Sequence, residues 1–115
     1  VWWAEKYYGW PMPLGGNIVK KDLGDNVMAD ITRWTKESIE YAINNPKDAL
    51  AFAKLWGRGI DDETNQEFVQ MYVNDRTIDY RQEGRDSVRK FLECGQKIGM
   101  IKSDFDIQSM EFIGE

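Results

Sequence analysis

The sequence predicts a mainly α-helical chain with one short β-strand. Three observations carry this. From Asp25 onward, apolar residues recur at spacings of three and four, in segments separated by Asn-Pro, Gly and Asn-Asp steps. Ahead of them, Gly9-Trp10-Pro11-Met12-Pro13-Leu14-Gly15-Gly16 holds two prolines one residue apart. Each fixes φ near about −65° and pushes the residue before it into extended geometry, so residues 10–13 cannot be helix. Residues 17–21 then carry Ile18-Val19, the one pair that reads as strand.

Taken in order, residues 1–8 form a short helix or turn stopped by Gly9. The Gly15-Gly16 pair suits a backbone with φ > 0, or one lying against a ligand or another strand. Asp25 is the expected N-cap of a long helix ending near Asn44, with Val27, Ile31, Trp34, Ser38, Ile39, Ala42 and Ile43 on its apolar stripe. Asn45 caps the next helix, Pro46 takes its first position, and Ala49, Phe52, Ala53 and Trp56 form its apolar face before Gly57 and Gly59. Asp61-Asp62-Glu63 opens a third helix, with Phe68, Met71 and Tyr72 inward, and Asn74-Asp75-Arg76 breaks it. Residues 77–80 are a short extended link. A fourth helix runs from about Gln82 to Ile98 with Val88, Phe91, Leu92 and Gly95 inward, and Ser103 caps a last short turn.

A chain of 115 residues, 42% apolar and 30% charged, is one domain's worth of sequence with ordinary globular composition. Its net charge of −5 argues against a nucleic-acid-binding surface. A single cysteine, Cys94, excludes an intrachain disulfide, and no apolar run approaches a membrane span. Trp2, Trp3, Tyr7, Tyr8 and Trp10 are five large aromatics within ten residues. They can bury on the order of 1,000 Å² together, against about 300–600 Å² for the largest apolar patch of a typical monomer. That start is expected either to fold back onto the helices or to meet a surface outside the chain, and a lone strand needs a pairing partner in the same way.

Of the side chains with chemistry, Trp10, Pro11, Pro13, Leu14, Gly15 and Gly16 either wall a ligand cleft, with glycine amides approaching an anion, or make a rigid turn. Trp2, Trp3 and Trp10 read as packing surface ahead of a stacking platform. Arg81, Arg85 and Arg89 recur at i, i+4 and i+8, and with Asp86 and Glu93 nearby they read as a paired, solvated face. Asp61-Asp62-Glu63 lacks the alternating ligands of a calcium loop. Cys94 has no histidine to serve as base and reads as a half-buried structural thiol. Asp79 and Glu83, four apart, are an acid–base pair only if one is desolvated. No metal, cofactor or catalytic residue is expected from these patterns.

Two stretches carry a family likeness: Trp2-Trp3 with Glu5, Gly9-Trp10-Pro11-Met12-Pro13-Leu14-Gly15-Gly16 and Lys21-Asp22-Leu23-Gly24, then Tyr72-Val73-Asn74, Thr77-Ile78-Asp79 and Gly84. In this order they resemble the C-terminal part of the menaquinone-biosynthesis enzymes of the futalosine route, the 1,4-dihydroxy-6-naphthoate synthase branch with chorismate dehydratase as its cousin. One extra residue stands between Trp3 and Gly9, and Arg81 stands where the family usually has glycine. The resemblance implies the C-terminal part of an α/β two-lobed, periplasmic-binding-protein-like (type 2) fold. Residues 1–16 would cross between lobes, and residues 17–115 would supply the strand and helices of one of them. It implies a parent that is a lyase, cytoplasmic, acting on a small organic anion in a cleft completed by an N-terminal lobe. The synthase branch uses a histidine from that other lobe, so no catalytic residue carries over to this chain, which has none. The alternatives are an extracytoplasmic binding protein of an ABC-type transporter for a small organic anion, and a free-standing helical module forming a homodimer through its aromatic N-terminus.

Overall fold

Helices occupy the segments where apolar spacing and capping chemistry agree. The computed structural model describes residues 2–56, 69 and 72–114. In chain order its helices are α1 (Trp2–Lys6), α2 (Asp25–Asn44), α3 (Pro46–Lys54), α4 (Asp75–Ile78) and α5 (Arg81–Lys97), with 3-10 turns at Lys21–Leu23 and Ile107–Ser109. The chain divides into two units: Val1–Val19 with Tyr80–Glu115, and Lys20–Asp79.

Among the described residues there is no strand, which corrects the expectation for residues 17–21. Residues 17–20 are irregular and Lys21 begins a 3-10 turn. A strand is held by a ladder to its neighbour, and no second strand among the described residues supplies one. Ile18 is 99% exposed.

In the unit Lys20–Asp79, α2 contacts the first 3-10 turn, α3 and α4. Its bounds match the sequence reading, but Gly24 rather than Asp25 is the N-cap, its carbonyl accepting from the Met28 N–H at 3.1 Å. On its solvent side Arg33 bridges Asp30 at 3.0 Å and Glu37 at 3.2 Å. Asn45 ends the helix, donating to the Tyr41 carbonyl from its backbone and its side chain, and Pro46 starts α3 without an Asn45 side-chain cap. The apolar stripe is less buried than its spacing suggests. Met28 is buried, Ile31, Ile39 and Ala42 are half-buried, and Val27, Trp34 and Ile43 are exposed. Asn74 begins a helix instead of breaking one: its side chain accepts from the Arg76 N–H, and Thr77 Oγ1 accepts from the Asn74 N–H, a capping box that makes α4 out of the expected break at Asp75-Arg76 and the first two residues of the expected extended link. The helix expected from Asp61 lies almost wholly outside the described residues.

In the other unit, α1 ends through two successive left-handed residues, Tyr8 at φ 55° and Gly9 at φ 80°, while the Gly9 N–H reaches back to the Ala4 carbonyl at 2.8 Å. Trp3 of α1 is buried, its indole 4.4 Å from the Tyr7 ring and edge-on to Phe91 of α5 at 5.7 Å. The aromatic start therefore folds back in part, whereas Trp2 and Tyr8 stay exposed. The buried face of α5 centres on Gly84 and Ser87, with Val88, Leu92 and Gly95 half-buried beside it. Residues 98–114 return along α5. Gln96 Nε2 donates to the carbonyls of Lys102 and Phe105, and Ile107 is buried. Arg89 lies over the Phe112 ring, which also meets Tyr80 edge-on. Asp106, not Ser103, caps the last turn, accepting from the Gln108 N–H at 3.0 Å.

Arg81, the first residue of α5, sits at φ 51°, where an L-residue is strained by about 1–2 kcal/mol and glycine is not. Arg81→Gly and Arg81→Val lose the same side-chain contacts, so comparing the two isolates the backbone. The glycine variant should be more stable than the valine variant by at least about 1 kcal/mol in chemical denaturation; equal stability would refute the strain.

Candidate functional site

Residues 10–16 leave α1 as a stiff, extended segment. Trp10, Pro11 and Pro13 are half-buried, and Leu14, Gly15 and Gly16 are exposed. The segment is tied down through Ser87, the most deeply buried side chain among the described residues. Ser87 Oγ accepts from Trp3 Nε1 at 2.9 Å and donates to the Pro11 carbonyl at 2.6 Å. An indole N–H can only donate and a carbonyl can only accept, so the hydroxyl proton has one place to go.

The glycine pair is not explained by φ or by crowding. Neither Gly15 nor Gly16 has positive φ, which corrects that part of the sequence reading. A Cβ on Gly15 would meet nothing within 4 Å, and one on Gly16 would lie 3.5 Å from the Tyr80 hydroxyl, an ordinary contact. Packing among the described residues therefore tolerates larger side chains at both positions.

Trp10 borders a shallow cavity of about 250 Å³ together with Asp86, Arg89, Lys90, Glu93 and Gln108. Its charges neutralise one another. Lys90 Nζ is 2.9 Å from Glu93 Oε2, Arg89 is 3.7 Å from Asp86, and Gln108 Nε2 donates to Glu93 Oε1. The Lys90 ammonium is held above its ordinary pKa by the hydrogen bond to Glu93 and then by that carboxylate's charge. This is the paired face expected for Arg89 with Asp86 and Glu93 nearby, although Glu93 takes Lys90 as its partner.

On the other side of α1, the Tyr7 hydroxyl and Cys94 Sγ are 3.3 Å apart, and the thiol is half-buried, as expected of a structural cysteine. Asp79 and Glu83 are both exposed, so neither has the desolvation that proton transfer near neutral pH requires. Among the described residues no group of three or more His, Cys, Asp and Glu gathers as a metal site, and no helix is long and apolar enough to cross a membrane. Asp61-Asp62-Glu63 lies outside the described residues. Sequence reasoning missed Ser87. Its signal was its spacing: it lies three after Gly84 and one before Val88 on the inward face, whereas Phe91, expected inward, is 43% exposed.

A predominantly helical chain organised around a rigid Pro-Gly segment is the class these observations define. The sequence profile of the menaquinone biosynthesis family matches residues 1–97, and the chain belongs to that family. It is 28% identical over 100 residues to a 1,4-dihydroxy-6-naphtoate synthase of Thermus thermophilus, covering 87% of this chain and 36% of that protein. A 1,4-dihydroxy-6-naphtoate synthase of Streptomyces coelicolor is 23% identical over 93 residues, covering 81% of this chain and 33% of the relative. The chain thus spans about a third of the length of these curated relatives. No solved structure matches it.

The Tyr7 hydroxyl is raised above its ordinary pKa of 10.0, first by the hydrogen bond with Cys94 and then by burial. The neutral phenol is the favoured form. The stability this contributes is fully present below pH 10.0 and is lost as pH rises through the folded-state value. In Cys94→Ala, Tyr7 should titrate closer to 10.0, read by NMR of ¹³Cζ-labelled tyrosine; an unmoved midpoint would show that the contact does not set the shift.

Proposed function

We propose that this chain forms part of an enzyme of menaquinone biosynthesis, of the 1,4-dihydroxy-6-naphthoate synthase kind, and that residues 10–16 line its ligand. The ligand is a small carboxylate, futalosine-derived or chorismate-like. In this reading Trp10 offers a flat apolar face, Pro11, Pro13 and Leu14 form a wall that does not deform, and Gly15 and Gly16 let their backbone N–H groups approach the carboxylate. The chain supplies binding and orientation rather than the reacting groups, since it holds no histidine and the acids Asp79 and Glu83 are exposed. The two-lobed arrangement, with residues 1–16 crossing between lobes and residues 17–115 within one of them, belongs to this proposal, as does a cytoplasmic location.

The observation that carries the reading is the open space at Gly15. Neither φ nor a described neighbour calls for glycine there, so close approach by something else is the remaining reason for it. Membership of a menaquinone biosynthesis family supports a small carboxylate as that something. No observation on this chain favours the transport or dimerisation alternatives.

The test is titration of the native protein with 1,4-dihydroxy-6-naphthoate, followed by quenching of tryptophan fluorescence. Gly15→Val should weaken binding at least tenfold, about 1.4 kcal/mol, while the thermal midpoint stays within a degree or two of the parent. Equal affinity in the variant would remove Gly15 from the site, and no binding by the parent protein would overturn the functional reading.

A further inference from the structure

We infer that Ser87 is the positioning residue of the segment 10–16, holding it in place through the Pro11 carbonyl. The inference rests on the reading that this segment lines the ligand, and it adds the residue that sets where the segment stands. The Ser87–Pro11 bond ties residues 11–16 to α5 through a hydroxyl with no exposure to solvent. Upstream lies a turn in which Tyr8 and Gly9 both have positive φ, and the Trp10 N–H donates to the Tyr7 carbonyl at 2.9 Å.

From Trp10 to Pro13 the segment is stiff. Pro11 and Pro13 lock their own φ and confine Trp10 and Met12 to extended geometry. A stiff segment needs little to orient it, and it also amplifies any error at its base. Gly15 is four residues beyond Pro11, about 13 Å in extended chain, so a tilt of about 10° at Pro11 moves Gly15 by about 2 Å. Displacements of that size at a binding wall are enough to cost orders of magnitude in function.

Ser87 suits this role by its chemistry as well as its place. Its side chain is 0% exposed, so no water competes for the hydroxyl. Trp3 Nε1 occupies an acceptor lone pair from the α1 side, which aims the single proton at Pro11. The hydroxyl therefore couples three parts of the chain (α1, α5 and the segment 10–16) through one atom. Threonine keeps the hydroxyl, whereas alanine leaves the Trp3 N–H and the Pro11 carbonyl without their partner.

The experiment uses the native protein with uniform ¹⁵N labelling and compares Ser87→Ala, Ser87→Thr and the double variant Trp3→Phe/Ser87→Ala. The double variant leaves no buried indole N–H behind and guards against failure of the single variant to fold. Backbone order parameters should be about 0.85 at Met12, Leu14, Gly15 and Gly16 in the parent and in Ser87→Thr. They should fall below about 0.6 in the two alanine variants, with α5 unchanged. Binding of 1,4-dihydroxy-6-naphthoate should weaken at least tenfold in the same two variants and be retained in Ser87→Thr. Unchanged order parameters at residues 12–16, or loss of order spread equally over α5, would overturn the positioning role. So would a freed segment that binds as tightly as the parent. If the parent protein itself binds no 1,4-dihydroxy-6-naphthoate, the functional reading falls, and the order parameters alone still decide whether Ser87 holds the segment.

Discussion

A serine hydroxyl with no exposure to solvent has to be satisfied from within, and at Ser87 both partners come from distant sequence: Trp3 from 84 residues away and Pro11 from 76. Losing either partner would strand a buried polar group, at a cost of about 1–3 kcal/mol. The two bonds therefore form together with the burial of Trp3. That burial removes roughly 200 Å² of indole from water, worth on the order of 5 kcal/mol at about 25 cal/mol per Å². Apolar burial thus brings α1 onto α5, and the hydroxyl fixes the register in which it lands. The tail adds to the same helix through Gln96, Ile107 and Arg89, so α5 is the element on which the unit Val1–Val19 with Tyr80–Glu115 is assembled.

Where local chemistry decides the outcome, the fold was legible in the sequence. Asn45-Pro46 closes one helix and opens the next, since proline is tolerated only at the first helical position, and α2 and α3 fall where that step puts them. Asn74 shows the limit of such reasoning. The residue types that break a helix are those that cap one, and whether Thr77 turns back to complete a capping box is a matter of geometry that spacing does not contain. The expected strand at residues 17–21 failed for the opposite reason. β-propensity records how well a residue suits a pleated surface, and with no neighbouring strand described the Ile18-Val19 pair had no ladder to join.

The site divides along the same line. Pro11, Pro13, Gly15 and Gly16 announce a constrained segment from composition alone, because their conformational limits are intrinsic. What the segment is attached to was not legible, since a hydrogen bond spanning 76 residues leaves no trace in local pattern. Only the placement of Ser87 between Gly84 and Val88 hinted that a polar atom would point inward. The α2 stripe misled in the other direction: helical periodicity marks a face suited to burial, yet Trp34 remains more than half exposed.

The distribution of charge constrains how an anion would be recognised here. The chain carries −5 overall, so its long-range field does not draw carboxylates in. Beside Trp10, Arg89 and Lys90 are each engaged by an acid on their own helix, and the pair closest to ideal geometry, Lys90 with Glu93, is further held by Gln108. Freeing either cation for a ligand would give up an existing pair, at a cost of about 0–1 kcal/mol. Fixed backbone dipoles are under no such constraint, because the amides of an exposed Gly-Gly step need no prior bond broken beyond those to water. Recognition by amides falls off over a short distance and depends on angle, so it works only if the backbone is held still. A stiff proline segment anchored by one buried hydroxyl meets that requirement, and it ties the ligand chemistry proposed for Gly15 and Gly16 to the packing of Trp3 on α5.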